Sequence, residues 1–123
     1  MTLKTCLLIT DDMDDHQIMS EALEVISENT VLLNIINSQK AVQLLRDKGY
    51  RPDYLILDLS MHGIKVNSIL KVVYDELKDG SIRTVGYGYA ENLQQIDNAE
   101  RLVFFNKDYG YSELIDFLRK IFC

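Results

Sequence analysis

Cysteine is scarce in this chain. Cys6 and Cys123 are the only two cysteines among 123 residues, and neither has a histidine or a second cysteine close to it in the sequence. We therefore expect two reduced thiols, Cys6 within a buried strand and Cys123 as the last residue. The same scarcity excludes a disulfide framework and a zinc site, which needs about four such ligands.

Positive charge is also limited. The chain has 13 basic and 19 acidic residues, for a net charge of -6. A general nucleic-acid interface needs clustered positive charge, so nucleic acid is not an expected partner.

No apolar run is long enough for a membrane span. The first run, Cys6-Leu7-Leu8-Ile9, is too short for a signal sequence or a transmembrane helix. We therefore expect a cytoplasmic protein without membrane insertion. Hydrophobic residues still make up 47% of the chain and are spread along it, which predicts one globular domain over residues 1–123.

Short apolar runs alternate with segments of helical periodicity. Strands are predicted at residues 4–10, 31–36, 54–58, 82–87 and 102–105. The inner faces of the five helices are predicted from Ile18, Ala22, Val25 and Ile26; Ala41, Leu44 and Leu45; Val66, Ile69, Leu70, Val73 and Leu77; Leu93 and Ile96; and Leu114, Ile115, Leu118 and Ile121. This alternation predicts an α/β domain in which helices cover both faces of a parallel sheet.

Several boundaries have identifiable signals. Ser38 is the predicted N-cap of the second helix, and Asp79-Gly80 is predicted to end the third. Gly86 and Gly88 interrupt the fourth strand, and glycines in a strand often indicate the close approach of another group. Asp14 and Asp15 are interpreted as acids in the first turn of the first helix, where the helix dipole favours them.

Three predicted strands end in charged residues. Asp11-Asp12 follows the first, Asp58 ends the third and Lys107 follows the fifth. The carboxyl ends of parallel strands share one edge of a sheet, where ligands bind in open α/β folds. Crowded carboxylates repel one another unless a cation intervenes, and Mg²⁺ prefers oxygen ligands. Carboxylates, Mg²⁺ and lysine together suit phosphoryl transfer to Asp58 as the nucleophile.

The sequence resembles the receiver domain of two-component response regulators over its full length. The resemblance is carried by Leu8-Ile9-Thr10-Asp11-Asp12, by Leu55-Ile56-Leu57-Asp58-Leu59-Ser60-Met61 and by Phe104-Phe105-Asn106-Lys107. The stretch from Asp11 to His16 is most similar to small stand-alone receivers. The resemblance implies a flavodoxin-like, doubly wound sheet of five parallel strands in the order 2-1-3-4-5, with five helices.

The resemblance also implies a metal site. In the family pattern, Asp12 matches the direct Mg²⁺ ligand and Asp11 matches the carboxylate that holds metal-bound water. Asp58 and the backbone carbonyl of Ser60 complete the implied ligand set.

The remaining implied roles concern the phosphoryl group. Asp58 matches the phosphoacceptor, Lys107 the lysine that contacts the phosphoryl group, and Phe104 the aromatic switch residue. The implied donor is a histidine kinase or phosphotransfer protein, and the implied output is the binding of an unidentified protein partner. Such a receiver is a signalling protein that catalyses at most its own phosphorylation and dephosphorylation.

The sequence departs from the family pattern at several positions. Gly88 stands where the family has a threonine or serine whose hydroxyl binds the phosphoryl oxygen. His62 and Asp108 replace usual prolines, and Val66 replaces a usual glycine. The segment between Ile96 and Lys107 is shorter than usual, which predicts a short or reoriented fourth helix.

Three alternatives remain open from the sequence. The departures fit a degenerate receiver that acts as a phosphorylation-independent interaction module. A related phosphohydrolase is a second alternative, although those enzymes have an acid where this chain has Ser60. A flavin-binding protein is the third, although Asp11-Asp12 would repel a phosphate at that loop.

Overall fold

The computed structural model describes residues 3–26, 29–47, 50–76 and 82–122. The strands are β1 (Lys4–Ile9), β2 (Thr30–Ile35), β3 (Tyr54–Asp58), β4 (Arg83–Gly88) and β5 (Val103–Asn106). The α-helices are α1 (Met13–Ile26), α2 (Ser38–Arg46), α3 (Gly63–Lys71) and α4 (Tyr111–Phe122). The predictions for Leu77, Asp79-Gly80 and Cys123 lie outside the described residues.

All five strands lie in one parallel sheet. Their order is β2-β1-β3-β4-β5, which confirms the predicted fold class. β1 therefore lies directly beside β3, with Leu8 opposite Ile56, and Asp58 lies opposite Tyr87 of β4. This order brings the loops after β1, β3 and β5 to one edge of the sheet.

The sheet separates two apolar layers, because alternate residues of a strand point to opposite faces. Leu7 and Leu55 belong to the layer beneath α2 and α3, whereas Leu8 and Ile56 belong to the layer beneath α1 and α4. Cys6 is in the second layer and is fully buried, as predicted. Burial raises the pKa of its thiol to about 12, so the thiol is protonated at neutral pH.

The buried face of α1 agrees with the prediction at Ala22 and Ile26 and differs at Ile18 and Val25. Met19, Ala22 and Leu23 are buried, whereas Ile18 is 44% exposed and Val25 is 59% exposed. Apolar residues on this helix form two overlapping stripes, about one residue apart. Packing against α4 and β2 selects the stripe that the sequence alone does not single out.

The N-cap of α2 is Asn37, which corrects the prediction of Ser38. The Asn37 side-chain oxygen accepts hydrogen bonds from the backbone N–H groups of Gln39 at 2.8 Å and Lys40 at 3.2 Å. Asn37 is extended whereas Ser38 is already helical, and an N-cap needs the non-helical backbone.

Helical geometry changes along the later crossovers. α3 continues into a π-helical turn at Val72–Glu76. The fourth crossover consists of two 3₁₀ turns, Ala90–Gln95 and Ala99–Arg101, joined through Asn98 in the left-handed region with φ 55°. The expected short fourth helix is thus 3₁₀ rather than α. No helix in the described ranges is both long enough and apolar enough to cross a membrane.

Candidate functional site

Asp58 is a buried carboxylate surrounded by donors. Its side chain is 1% exposed. Oδ2 accepts a hydrogen bond from Thr10 Oγ1 at 2.7 Å, and Oδ1 accepts from the Ser60 backbone N–H at 2.9 Å, the Ser60 hydroxyl and Lys107 Nζ at 3.1 Å. Burial raises the pKa of Asp58, but the hydrogen bonds from Ser60 and Thr10 and the Lys107 charge outweigh it and hold that pKa below its ordinary value. Asp58 is therefore ionised at neutral pH.

Lys107 uses all three of its ammonium donors within the site. It donates to Asp15 Oδ2 at 2.8 Å, to Asp58 Oδ1 at 3.1 Å and to Ser60 Oγ at 3.1 Å. Its nitrogen also lies 4.4 Å from the centre of the Tyr87 ring. Burial lowers the pKa of Lys107, but the two carboxylates more than offset this and raise that pKa above its ordinary value. The structure thus brings together Asp58, Ser60 and Lys107 from the predicted site.

Asp15 is a site residue whose position in the sequence indicates only a helix terminus. Its carboxylate forms the shorter of the two ion pairs with Lys107, and its side chain is 16% exposed. Asp14, in the same turn, is exposed, as that interpretation predicts. The signal that could have found Asp15 is its spacing of three residues from Asp12, which puts the two positions on one side of a helix.

Thr10 is a second site residue that was not predicted, although it belongs to the motif Leu8-Ile9-Thr10-Asp11-Asp12. Its side chain is fully buried, and its hydroxyl donates to Asp58 while accepting the Asp12 backbone N–H at 3.1 Å. Thr10 and Asp58 are the buried polar residues of the described chain. A hydroxyl at the end of a strand whose neighbour ends in a carboxylate is the available signal.

The acidic pair lies at the exposed start of α1. Asp11 and Asp12 are exposed, and Asp12 Oδ1 accepts the Asp14 backbone N–H at 2.9 Å, which caps the start of α1. Among the described residues, no group of three or more His, Cys, Asp or Glu side chains could hold a metal ion. The oxygen ligands suit Mg²⁺ chemically, but in this conformation they are not assembled around one point. The Mg²⁺ site stays a prediction.

Gly88 lies at the site, at the end of β4. It follows Tyr87, the neighbour of Asp58 in the sheet, and its carbonyl accepts the Lys107 backbone N–H at 2.7 Å. A Cβ at Gly88 would lie 2.9 Å from Asn92 Oδ1 and 3.1 Å from Leu59 Cβ. The space for a side chain is therefore taken by Asn92, whose oxygen also accepts the Tyr89 backbone N–H at 2.8 Å.

Gly86 explains the other interruption of β4. A Cβ there would lie 2.8 Å from Leu59 Cδ1 and 3.2 Å from Leu102 Cδ1. The group that approaches closely is thus a core side chain. Gly86 supports packing of the sheet rather than ligand binding.

The loop after β5 differs from the family pattern where Asp108 replaces proline. The Asp108 backbone N–H donates to Asn106 Oδ1 at 2.9 Å, a bond that proline could not make. Phe104, the predicted switch aromatic, is half-buried and packs against the α2 and α3 side of the core. It also lines a cavity of about 400 Å³ together with Tyr109 and Phe117.

The two other departures lie at the start of α3. Val66 is fully buried and takes part in the core beneath α2 and α3, where a glycine would leave space. His62 is exposed, and its backbone carbonyl accepts the Val66 N–H at 3.2 Å.

Comparison with solved structures identifies the fold. The chain superposes on the RcsB response regulator of Salmonella typhimurium with a TM-score of 0.74 at 16% identity, covering 98% of this chain and 59% of RcsB. The signal receiver domain of the DNA binding response regulator protein merR from Colwellia psychrerythraea gives a TM-score of 0.74 at 21% identity. The match covers 97% of this chain and 98% of that domain. The chain has the receiver-domain fold.

A third receiver structure extends the comparison. The phosphorylated cyanobacterial phytochrome response regulator RcpA gives a TM-score of 0.72 at 19% identity, covering 98% of this chain and 91% of RcpA. Comparison of the sequence with protein-family models and with curated proteins gives no match. At these identities, the likeness to receivers shows the fold, while function has to be argued from the site.

Proposed function

We propose that this receiver fold acts in two-component phosphorelay signalling and accepts a phosphoryl group on Asp58. One observation carries the proposal: a buried, ionised carboxylate at the end of β3 lies 3.1 Å from the ammonium group of Lys107. A nucleophile of this kind needs to be ionised, and a developing phosphoryl charge needs a cation beside it.

The proposed donor is a histidine kinase or a phosphotransfer protein that carries phosphohistidine. An oxygen of Asp58 forms a bond to phosphorus while the P–N bond of the donor breaks. The imidazole leaves and takes up a proton, and Asp58 becomes an acyl phosphate. Oδ1 is on the side of Ser60 and Lys107, so Lys107 can transfer a hydrogen bond from the carboxylate to a phosphoryl oxygen without leaving the site.

The proposal includes Mg²⁺ held by Asp11, Asp12, Asp58 and the Ser60 carbonyl. In the structure, Asp12 caps α1 by accepting the Asp14 N–H on Oδ1, which leaves Oδ2 as the oxygen that would bind the metal. Output would follow through contact with a protein partner in the cytoplasm.

The direct test is incubation with a small acyl-phosphate donor and Mg²⁺, followed by mass spectrometry. We expect an acid-stable, base-labile phosphoryl adduct that disappears in Asp58→Asn and persists in Asp116→Asn, which removes an exposed carboxylate on α4. Wild-type protein that forms no adduct, or an adduct that persists in Asp58→Asn, would contradict the proposal.

A phosphorylation-independent interaction module is the second candidate. It is favoured by Gly88, which supplies no hydroxyl, and by Asn92, which fills the adjoining space. Under this candidate, Asp58→Asn that remains folded keeps its signalling output in the native cell. Loss of that output with the fold intact would rule the candidate out.

A further inference from the structure

Asp15 accepts a hydrogen bond from Lys107, the cation that any anion binding at the site would contact. An ammonium group has three donors, and all three of Lys107 are already paired, with Asp15, Asp58 and Ser60. An incoming phosphoryl oxygen can gain a hydrogen bond from Lys107 only if one of these bonds is released.

The bond to Asp15 is the shortest of the three, at 2.8 Å. The side chains of both partners are largely shielded, with 12% of Lys107 and 16% of Asp15 exposed, so water screens the pair weakly. Asp15 thus holds Lys107 from the α1 side, while Asp58 holds it from the β3 side.

We propose that Asp15 is an internal competitor, a carboxylate that binds one donor of Lys107 and partly neutralises its charge, and so restrains the affinity of the site for anions. The inference deepens the proposed function and rests on it. Two effects act in the same direction: Asp15 engages the cation that the anion needs, and its own negative charge repels the anion.

The competition can be measured without acyl-phosphate chemistry in an Asp58→Asn background. Inorganic phosphate is titrated while the Cε and Nζ resonances of Lys107, assigned by their loss in Lys107→Met, are followed by NMR. Replacing Asp15 by Asn in that background is expected to tighten phosphate binding about tenfold, the effect of roughly one pKa unit of interaction. Unchanged or weaker binding would overturn the competition.

Asp14→Asn is the matched control, because Asp14 is also an acid in the first turn of α1 but is exposed. It removes the same formal charge and is expected to change phosphate affinity by less than about twofold, since exposed charges are well screened. An equal effect of the two substitutions would show that only net charge matters and would overturn the specific role of Asp15. Asp15→Ser, which also suits a helix start, provides a second test if Asp15→Asn does not fold.

A second titration uses beryllofluoride and Mg²⁺ with Asp58 intact. Asp15→Asn is expected to bind beryllofluoride about tenfold more tightly than wild type, for the same electrostatic reason. Failure of both proteins to bind would count against phosphoryl acceptance by Asp58, whereas the phosphate titration tests Asp15 independently.

Discussion

The β1–β3 half and the β4–β5 half of the sheet edge differ in whether hydrogen bonds or close packing surround the strand ends. On the β1–β3 side, Thr10 and Ser60 supply hydrogen bonds to a carboxylate that is 1% exposed. On the β4–β5 side, Gly88 supplies no side chain, and Asn92 and Leu59 lie where one would be. The first half is organised around a charge, and the second around close packing. The same edge therefore fixes the Asp58 carboxylate by hydrogen bonds while leaving little space for a side chain at position 88.

Lys107 joins the two halves, and its removal should have the largest effect on stability. Lys107→Met leaves Asp58 and Asp15 without their shared cation, and breaking a buried ion pair from one side costs about 3 kcal/mol. Urea unfolding measures the loss. Lys107→Met with Asp58→Asn should recover part of it, and a single variant as stable as wild type would show that the halves are independent.

Gly88→Thr tests whether the β4–β5 side is closed by packing. The new Cβ would lie 3.1 Å from Leu59 Cβ and 2.9 Å from Asn92 Oδ1, and Asn92 can move aside only by releasing the Tyr89 N–H. We therefore expect a loss of about 2 kcal/mol from overpacking and the lost hydrogen bond. Asn92→Ala added to Gly88→Thr should restore part of the stability. If Gly88→Thr is as stable as wild type, the space beside position 88 can accept a side chain, and the β4–β5 side is not closed by packing.

Thr10→Val tests the β1–β3 side at nearly constant volume. The variant removes a hydrogen bond to a buried carboxylate and is expected to cost about 1–2 kcal/mol. Thr84→Val is the matched control, because the Thr84 hydroxyl oxygen is buried without a hydrogen-bond partner among the described residues. Thr84→Val should be neutral or stabilising, and equal losses in both variants would show that the Thr10 bond contributes nothing specific.

The smallest expected effect is on the pH dependence of stability. The folded pKa of Asp58 is held below the unfolded value of 3.8, so its ionisation stabilises the fold above that pH. This contribution is lost as pH falls from the unfolded value through the folded one. Asp58→Asn should therefore flatten the acid limb of the stability curve in that range, as measured by urea unfolding at a series of pH values. An unchanged slope would mean that the Asp58 pKa is not shifted.

The fold and the centre of the site could be predicted from local patterns. Asp58 ends one apolar strand and Lys107 directly follows another, and parallel topology alone brings such ends to one edge. Whether Lys107 contacts a phosphoryl group and whether Phe104 acts as a switch stay predictions.

The rest depended on contacts between distant segments. Asp15 pairs with a lysine 92 residues away, and Thr10 with a carboxylate 48 residues away, so neither has a local signal stronger than its spacing. The buried face of α1 was predicted one residue away because Ile18 and Met19 are both apolar, and only packing distinguishes them. The lack of space for a side chain at Gly88 depends on where the following 3₁₀ turn places Asn92.

The Tyr87 ring beneath Lys107 gives the protein an intrinsic optical reporter. The chain contains no tryptophan, so tyrosine emission is not lost by transfer to an indole. The centre of the Tyr87 ring lies 4.4 Å from the Lys107 nitrogen. Any event that moves the ammonium group therefore changes the electric field at this chromophore. Ligand binding at the edge of the sheet should thus be visible in the ultraviolet difference spectrum of unlabelled protein. Tyr87→Phe should remove most of the signal and leave a smaller part from Tyr89, whose ring centre lies 5.9 Å from the same nitrogen.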